Sequence, residues 1–174
     1  VGKFAEGKVL LEPGAPFVLD AARKEPGDVQ GVGLDYKELP RDVKPGDTLL
    51  LNDGLIVLTI HAVKGDAVHT TVKLGGELSN NKGINKQGGG LTAPALTAKD
   101  MEDIRTAAEL TCDFVAVSFP KSGADMRLAR ELLRAAGWDA LLVAKIERVE
   151  AIAALEDILH ASDAIMVARG DLAV

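Results

Sequence analysis

The sequence is poor in the residue types that several protein classes require. Its 174 residues include one cysteine, so no disulfide can form within the chain, and a reducing compartment such as the cytoplasm is expected. Aromatic residues make up 3%, too few for a surface that stacks single-stranded bases. Basic residues (20) are outnumbered by acidic ones (26), which argues against a nucleic-acid partner. No apolar run approaches the roughly 20 residues of a membrane span, so no membrane partner is expected either.

Glycine and charge are distributed unevenly, which predicts two regions of different architecture. Fifteen of the 18 glycines fall in residues 1–90. The formal charge is −1 over residues 1–90 and −5 over residues 91–174. Such a change is typical of a domain boundary, and we place it near Gly90.

The first region predicts short β-strands. Apolar runs cover residues 8–12, 16–20, 48–51, 55–63 and 67–74. Turns are expected at Asn52-Asp53-Gly54 and at Gly65-Asp66, where glycine permits a positive φ. No long stretch has the 3.6-residue apolar period of a helix. We therefore predict a small all-β barrel or sandwich, followed by a Gly-rich connection over residues 75–94.

The second region predicts alternating helices and strands. Thr97 and Ser122 are candidate N-caps of two helices that end near Leu110 and Ala136. A third helix is expected over residues 150–160, and strands over 113–119, 141–146 and 164–168. These strands are apolar on both faces, which is typical of a parallel sheet covered by helices.

Three polar clusters follow the predicted strands, at the edge where parallel α/β folds bind ligands. They are Ser118-Phe119, Lys145-Ile146-Glu147 and Arg169-Gly170-Asp171. Residues two apart on a strand project to the same face, so Lys145 and Glu147 are expected to be neighbours. Three roles for Lys145 fit this position: a cation that neutralises charge developing on a substrate, a Schiff-base amine, or one member of a structural ion pair.

Glu147 and Asp171 end different strands, so their carboxylates can converge. Two acids, completed by water and phosphate oxygens, suit Mg²⁺. The same pattern also permits a glycosidase-like acid pair, or two unrelated capping or surface acids. A tight turn at Gly170 and Asp171 would offer backbone N–H groups to an anion, and Arg169 adds a fixed cation.

The remaining polar residues give weaker indications. The three histidines, His61, His69 and His160, lie in separate predicted elements and are not expected to form a set. Lys82 and Lys86 lie in the Gly-rich connection near the turn that contains Asp53. They either reach a phosphate from a mobile lid or stay solvated.

Taken together, these segments resemble the pyruvate kinase family in its bacterial form. The similar motifs are NDGLIVL, GGELSNNKGINKQGGG, LTAKDMEDI, DFVAVSFP, VAKIE, EAI and SDAIMVARGDLAV, in the family's order. The resemblance implies an α/β fold in which residues 1–90 form the inserted β-barrel lid domain. Residues 91–174 would then be three strand–helix units of a partial (β/α)₈ TIM barrel, so that the chain is an internal fragment of the enzyme.

The resemblance implies transfer of phosphate from phosphoenolpyruvate to ADP, giving pyruvate and ATP in glycolysis. Lys145 would stabilise the transferring phosphoryl group, and Glu147 and Asp171 would bind Mg²⁺ or Mn²⁺. The family's K⁺ site would lie mostly outside this chain. The full enzyme would be a cytoplasmic homotetramer, whereas these 174 residues alone are expected to be inactive.

Substrate contacts are also implied by the resemblance. The backbone amides of Gly170 and Asp171 would hold the substrate carboxylate, with Arg169 shaping that pocket. Ser118 and Phe119 would line the site.

The resemblance also implies two contacts from the lid domain, and the sequence differs from the family pattern at two positions. Asp53 and Lys82 would approach the nucleotide from the lid. Asn52 replaces an acid that the family usually carries, and Ala173 replaces a glycine. Neither departure touches the proposed catalytic residues, although Ala173 follows closely on Asp171.

Two rival functions stay open at this point. One is a metal-dependent aldolase or lyase that handles pyruvate enolate at the same acids. The other is a non-catalytic β-domain binding module with an incidental α/β tail.

Overall fold

The computed structural model describes residues 1–172, apart from the side chain of Asp171. These residues divide into two compact units, each with its own hydrophobic core. Unit 1 spans Val1–Ala93, and unit 2 begins at Pro94 and contains the remaining described residues. The chain is therefore of mixed α/β class.

Unit 1 consists mainly of antiparallel strands. Its elements are β1 (Lys8–Leu11), β2 (Pro16–Asp20), β3 (Gly31–Gly33), α1 (Leu39–Asp42), β4 (Thr48–Leu51), β5 (Ile56–Lys64), β6 (Ala67–Leu74), β7 (Gly76–Ser79) and β8 (Ile84–Lys86). Six strands form one sheet in the order β3-β2-β6-β5-β4-β8, and β1 pairs with β7. All pairs are antiparallel except β2 with β3.

The core of unit 1 follows from the alternation of its strands. Along β6, Val68, Thr70 and Val72 are buried while the residues between them are partly exposed. Thr70 is the polar member of this row, and its hydroxyl donates to the carbonyl of Phe17, 2.7 Å away. A buried hydroxyl without such a partner would be costly. One face of the sheet is therefore buried and the other faces solvent.

Two sequence expectations for this unit are wrong: that residues 75–94 are only a connection, and that the unit contains β-strands alone. The Gly-rich segment 75–94 contains β7 and β8, and Leu78 of β7 is fully buried. These strands have three or four residues, too short for an alternating pattern to stand out among glycines. The unit also contains a four-residue helix, α1, which is anchored by the buried Leu39 and has a proline in its first turn, where proline is tolerated.

Unit 2 alternates helices with parallel strands. Its elements are α2 (Ala98–Glu109), β9 (Phe114–Val117), α3 (Gly123–Ala135), β10 (Leu141–Ile146), α4 (Val149–Ala153), α5 (Leu155–Ala161), β11 (Ala164–Val167) and α6 (Arg169–Leu172). The strand order is β11-β10-β9, with β10 in the centre and both pairings parallel.

The helix boundaries of unit 2 follow their capping residues. Thr97 and Asp100 form a reciprocal capping box at the start of α2, as predicted. Helix α3 starts after Ser122 and stops before Gly137, which adopts a φ of 83°. The single helix expected over 150–160 is wrong, because the chain leaves helical geometry at Ala154 (φ −105°, ψ 16°).

The central strand β10 separates a helix-covered face from an open one. Leu142, Ala144 and Ile146 are buried in the core formed with the helices. The alternate residues, Leu141, Val143 and Lys145, are less buried and share the other face. The functional candidates of unit 2 therefore sit beside a sheet face that the described helices do not cover. No helix within residues 1–172 combines the length and apolar character required to cross a bilayer.

Candidate active site

The parallel register of β9 and β10 brings Lys145 beside Ser118. Ala144 is paired with Val117, so the next residues of both strands, Lys145 and Ser118, are neighbours on the open face. The Lys145 Nζ donates to Ser118 Oγ across 3.0 Å. The side chain of Lys145 is 27% exposed, so the ammonium group is fixed by the protein and still accessible from the open face.

Glu147 supplies the second partner of Lys145. Its Oε1 lies 2.5 Å from Lys145 Nζ, and its side chain is only 2% exposed. Its other oxygen, Oε2, accepts a hydrogen bond of 2.8 Å from the backbone N–H of Phe119. Burying a carboxylate is costly unless it is paired and hydrogen-bonded, and here each oxygen has a partner. The expectation that Lys145 and Glu147 are neighbours is confirmed.

The backbone of Phe119 is held in an uncommon conformation to make this contact. Its φ is 55°, in the left-handed region that bulky residues rarely adopt. Such strain is often retained where a local geometry serves function. Sequence reasoning placed Phe119 at the site for its side chain and missed its N–H group. The following Pro120 signals a break in the strand, but a residue before proline usually stays extended, so no pattern indicated this turn.

The arrangement combines a fixed cation with a buried acid that retains coordinating capacity. A carboxylate has about four lone-pair positions, and the two contacts of Glu147 use two of them. Ser118 adds a hydroxyl oxygen beside the ammonium group. The site can therefore stabilise an anion through Lys145 and offer oxygen ligands to a hard cation. Among the side chains that the structure describes, no three acidic, cysteine or histidine residues form a metal-binding group.

The third polar cluster lies after β11. Arg169 is exposed, and Gly170 follows it in the four-residue helix α6. The tight turn expected at Gly170 and Asp171 is thus wrong, and these residues belong to a short helix. The first N–H groups of any helix have no acceptor within it, so the change does not remove the anion-binding potential of the backbone. The predicted role of the Asp171 side chain lies outside the described atoms.

The two lid candidates lie in neighbouring turns of unit 1. Asp53 is exposed in the β4–β5 turn, where Asn52, Asp53 and Gly54 all have positive φ. Lys82 lies between β7 and β8. The Asn52 N–H donates to the carbonyl of Gly83 across 3.4 Å, which places the two turns side by side.

Lys86, by contrast, has a structural position. Its Nζ lies 3.1 Å from Asp47 and 3.2 Å from the carbonyl of Asp42, and its side chain is 18% exposed. It therefore connects β8 to the segment around α1.

Two of the histidines lie together, contrary to expectation. His61 on β5 and His69 on β6 have ring centroids 6.2 Å apart, whereas His160 lies at the end of α5 in unit 2. The sequence separation of eight residues concealed this pair, because the contact depends on the register of a hairpin.

The complete chain is similar to known proteins of one family. The family model described as the barrel domain of pyruvate kinase matches residues 1–174. A pyruvate kinase of Haemophilus influenzae is 56% identical over 178 residues, and pyruvate kinase II of Salmonella typhimurium is 57% identical over 178 residues. A pyruvate kinase of Corynebacterium efficiens is 43% identical over the same length. Each match covers 100% of this chain but only 36–37% of the relative.

Proposed function

Because this chain belongs to the pyruvate kinase family, we propose that it supplies part of the active site of an enzyme that transfers phosphate from phosphoenolpyruvate to ADP. The products would be pyruvate and ATP. The observation that carries the proposal is the contact of Lys145 with Glu147 and Ser118 at the carboxyl ends of parallel strands. Phosphoryl transfer needs positioning and charge neutralisation more than covalent chemistry, and this cluster has the groups for both.

Lys145 is the proposed catalytic cation. Its stem is fixed in the central strand, and its ammonium group is held by one charged and one neutral partner. A preorganised cation of this kind stabilises negative charge that develops on transferring phosphoryl oxygens. Lys145 lies at the carboxyl end of a parallel strand, the edge at which parallel α/β folds bind ligands. This location and the family position of the lysine together favour the catalytic role over a purely structural ion pair.

Glu147 is the described residue best suited to hold a divalent cation, and Asp171 is proposed as its companion. Glu147 is buried, ionisable and left with lone pairs, which fits Mg²⁺ or Mn²⁺. When bound, such a cation would supply Lewis-acid stabilisation of phosphate oxygens. The protein's own contribution is to fix Glu147 through the Phe119 N–H and the Lys145 ammonium group.

The substrate carboxylate is proposed to bind at α6, through the backbone amides of Gly170 and Asp171 and beside Arg169. Ser118 and Phe119 would complete this side of the site. The exposed Asp53 and the adjacent turn that carries Lys82 are proposed to approach the nucleotide from unit 1, which would correspond to the lid domain. Closure of a lid would exclude water from the transferring group.

The fold and the setting of the whole enzyme extend the proposal. The three parallel strands and their helices would be consecutive units of a (β/α)₈ barrel, and unit 1 would be its inserted β-barrel. By family resemblance, the enzyme would also use K⁺, act in the cytoplasm and assemble as a homotetramer. The family match and the names of the relatives favour this function over a pyruvate-enolate lyase or a binding module.

A segment exchange tests the proposal. The matching 178-residue segment of the Haemophilus influenzae relative is replaced by this chain, and the chimera is assayed with phosphoenolpyruvate, ADP and Mg²⁺ by coupling pyruvate to lactate dehydrogenase. We expect ADP-dependent pyruvate formation within about tenfold of the unmodified relative. Formation of pyruvate without ADP would favour a lyase. A folded chimera without phosphotransfer would overturn the proposal.

A further inference from the structure

The outer face of the β5–β6 hairpin carries a pair of histidines that the proposed phosphotransfer does not use. His61 is exposed and His69 is partly exposed. Their ring centroids are 6.2 Å apart, and the ring planes are inclined by 31°. The pair lies in unit 1, and each histidine belongs to one of two paired strands, so neither residue lies in a loop.

An irregularity in the strand register explains why the rings meet. Ile60 pairs with Thr70 but Ala62 pairs with His69, so His61 is an additional residue in β5. Ile60 is buried, and Val63 also packs against the core, which leaves His61 and Ala62 together on the outer face. In such a bulge two residues oppose one on the partner strand. His69 therefore faces both Ala62 and His61, and the two rings face each other across the bulge.

The separation of the rings suits two ligands of one metal ion. With metal–nitrogen distances of about 2.0–2.1 Å, two imidazoles on a tetrahedral ion have centroids about 5 Å apart. Rotation of the exposed His61 side chain can reduce the observed 6.2 Å toward that value. The neighbour of His69 on β2 is Val18, whose side chain has no atom that could ligate a metal.

From this geometry we infer that His61 and His69 form a surface site for a borderline-soft divalent transition metal such as Ni²⁺ or Zn²⁺. Imidazole nitrogen favours these ions over Mg²⁺, so the site is chemically distinct from the oxygen ligands proposed at Glu147. No further histidine, cysteine or acid joins the pair in a metal-binding group among the described side chains. Water would complete the coordination shell, and binding would connect β5 with β6 and stabilise unit 1.

Titration of the 174-residue chain with Ni²⁺ tests the inference. The titrations use a Cys112→Ser background, so that the free thiol does not contribute. Calorimetry in the presence of excess Mg²⁺, which occupies oxygen-ligand sites such as the one proposed at Glu147, should still give binding of one Ni²⁺ per chain. His61→Gln and His69→Gln should each weaken Ni²⁺ binding at least tenfold. His160→Gln, the matched control in unit 2, should change the affinity less than twofold.

A second measurement uses the chain with both histidines unmutated. Paramagnetic Ni²⁺ should broaden the imidazole NMR signals of His61 and His69 at substoichiometric concentrations and leave those of His160 sharp. Absence of binding, equal broadening of all three histidines, or full affinity in both single variants would overturn the inference. Because neither histidine enters the proposed phosphotransfer, these outcomes are independent of that function.

Discussion

Glu147 is an ionisable residue that is almost fully buried, and its two oxygens have different partners. One pairs with the Lys145 ammonium group and the other accepts from the Phe119 N–H. An amide in place of the carboxylate would preserve the shape of the side chain but remove the charge that a divalent cation requires. Glu147 thus connects the fixed lysine to the proposed metal chemistry.

This position gives a prediction about metal activation. In the chimera, Glu147→Gln should raise the Mg²⁺ concentration needed for half-maximal activity at least tenfold, because a neutral amide is a poorer ligand for a hard cation. The coupled assay over a Mg²⁺ series measures the effect. Glu131→Gln, which changes an exposed acid on α3, is the control and should leave the Mg²⁺ dependence unchanged. An unchanged Mg²⁺ dependence in a folded Glu147→Gln chimera would remove Glu147 from the proposed metal site.

At the scale of elements, a single glycine permits α3 to approach α5. A Cβ at Gly123 would lie 2.4 Å from the carbonyl oxygen of Asp157 and 2.7 Å from its carboxyl carbon. The Gly123 N–H donates to the same carboxylate, 2.8 Å away, and Arg127 pairs with it as well. The glycine is therefore needed for close approach, although its backbone φ would allow other residues.

We predict that Gly123→Ala destabilises unit 2 by about 1–3 kcal/mol, as overpacking generally does, although alanine is the better helix former. Urea unfolding followed by the fluorescence of Trp138 measures this change. Gly83→Ala is the control, since its Cβ would meet nothing within 4 Å and its φ is not positive. Equal stability of Gly123→Ala and the unmodified chain would refute the close approach of α3 and α5.

Asp163 lies between α5 and β11 and contacts both β10 and α3. These contacts lead us to expect that the stability of the chain depends on pH. Its carboxylate accepts from the Leu142 N–H at 2.7 Å and from Arg130 at 2.8 Å. These two contacts, the N–H first, hold the pKa of Asp163 below its ordinary value. A lowered pKa in the folded state contributes stability above the ordinary pKa, and that contribution is lost as the pH falls through the folded value.

Asp163→Asn should therefore cost about 0.5–1.5 kcal/mol at pH 7, because the carboxylate is exposed and solvent screens its pairing with Arg130. The difference from the unmodified chain should shrink below about pH 4, where the carboxylate of the unfolded chain becomes protonated. Urea unfolding at pH 7 and pH 3 measures both values. Asp139→Asn, which removes an exposed pair with Arg134, should have little effect at either pH. A difference that stays constant with pH would contradict the account of Asp163.

For the whole molecule, the sequence predicts some features well and others poorly. The periodicities and caps predicted most strands and the ends of α2 and α3, because those signals act within a few residues. Strands β7 and β8 were missed because three or four residues carry too little pattern. The break at Ala154 and the register that joins His61 to His69 depend on contacts that no local pattern reports.

The candidate site, too, could be predicted only where local sequence patterns determine its geometry. Strand alternation predicts that Lys145 and Glu147 are neighbours. The parallel order of the strands predicts that both lie close to Ser118. The hydrogen bond from the Phe119 N–H could not be predicted, because it requires a backbone conformation that a bulky residue rarely adopts. The boundary near Gly90, the lid assignment of residues 1–90 and the barrel assignment of residues 91–174 stay predictions.

The most direct measurement of the central proposal is the turnover of the chimera after Lys145→Met. Lys145→Arg keeps the positive charge should Lys145→Met not fold, and Lys99→Met is the matched control on the exposed face of α2. The account predicts a fall in kcat of at least about 10³-fold for Lys145→Met and an intermediate fall for Lys145→Arg, with Lys99→Met unchanged. Full turnover in a folded Lys145→Met or Lys145→Arg chimera would contradict it.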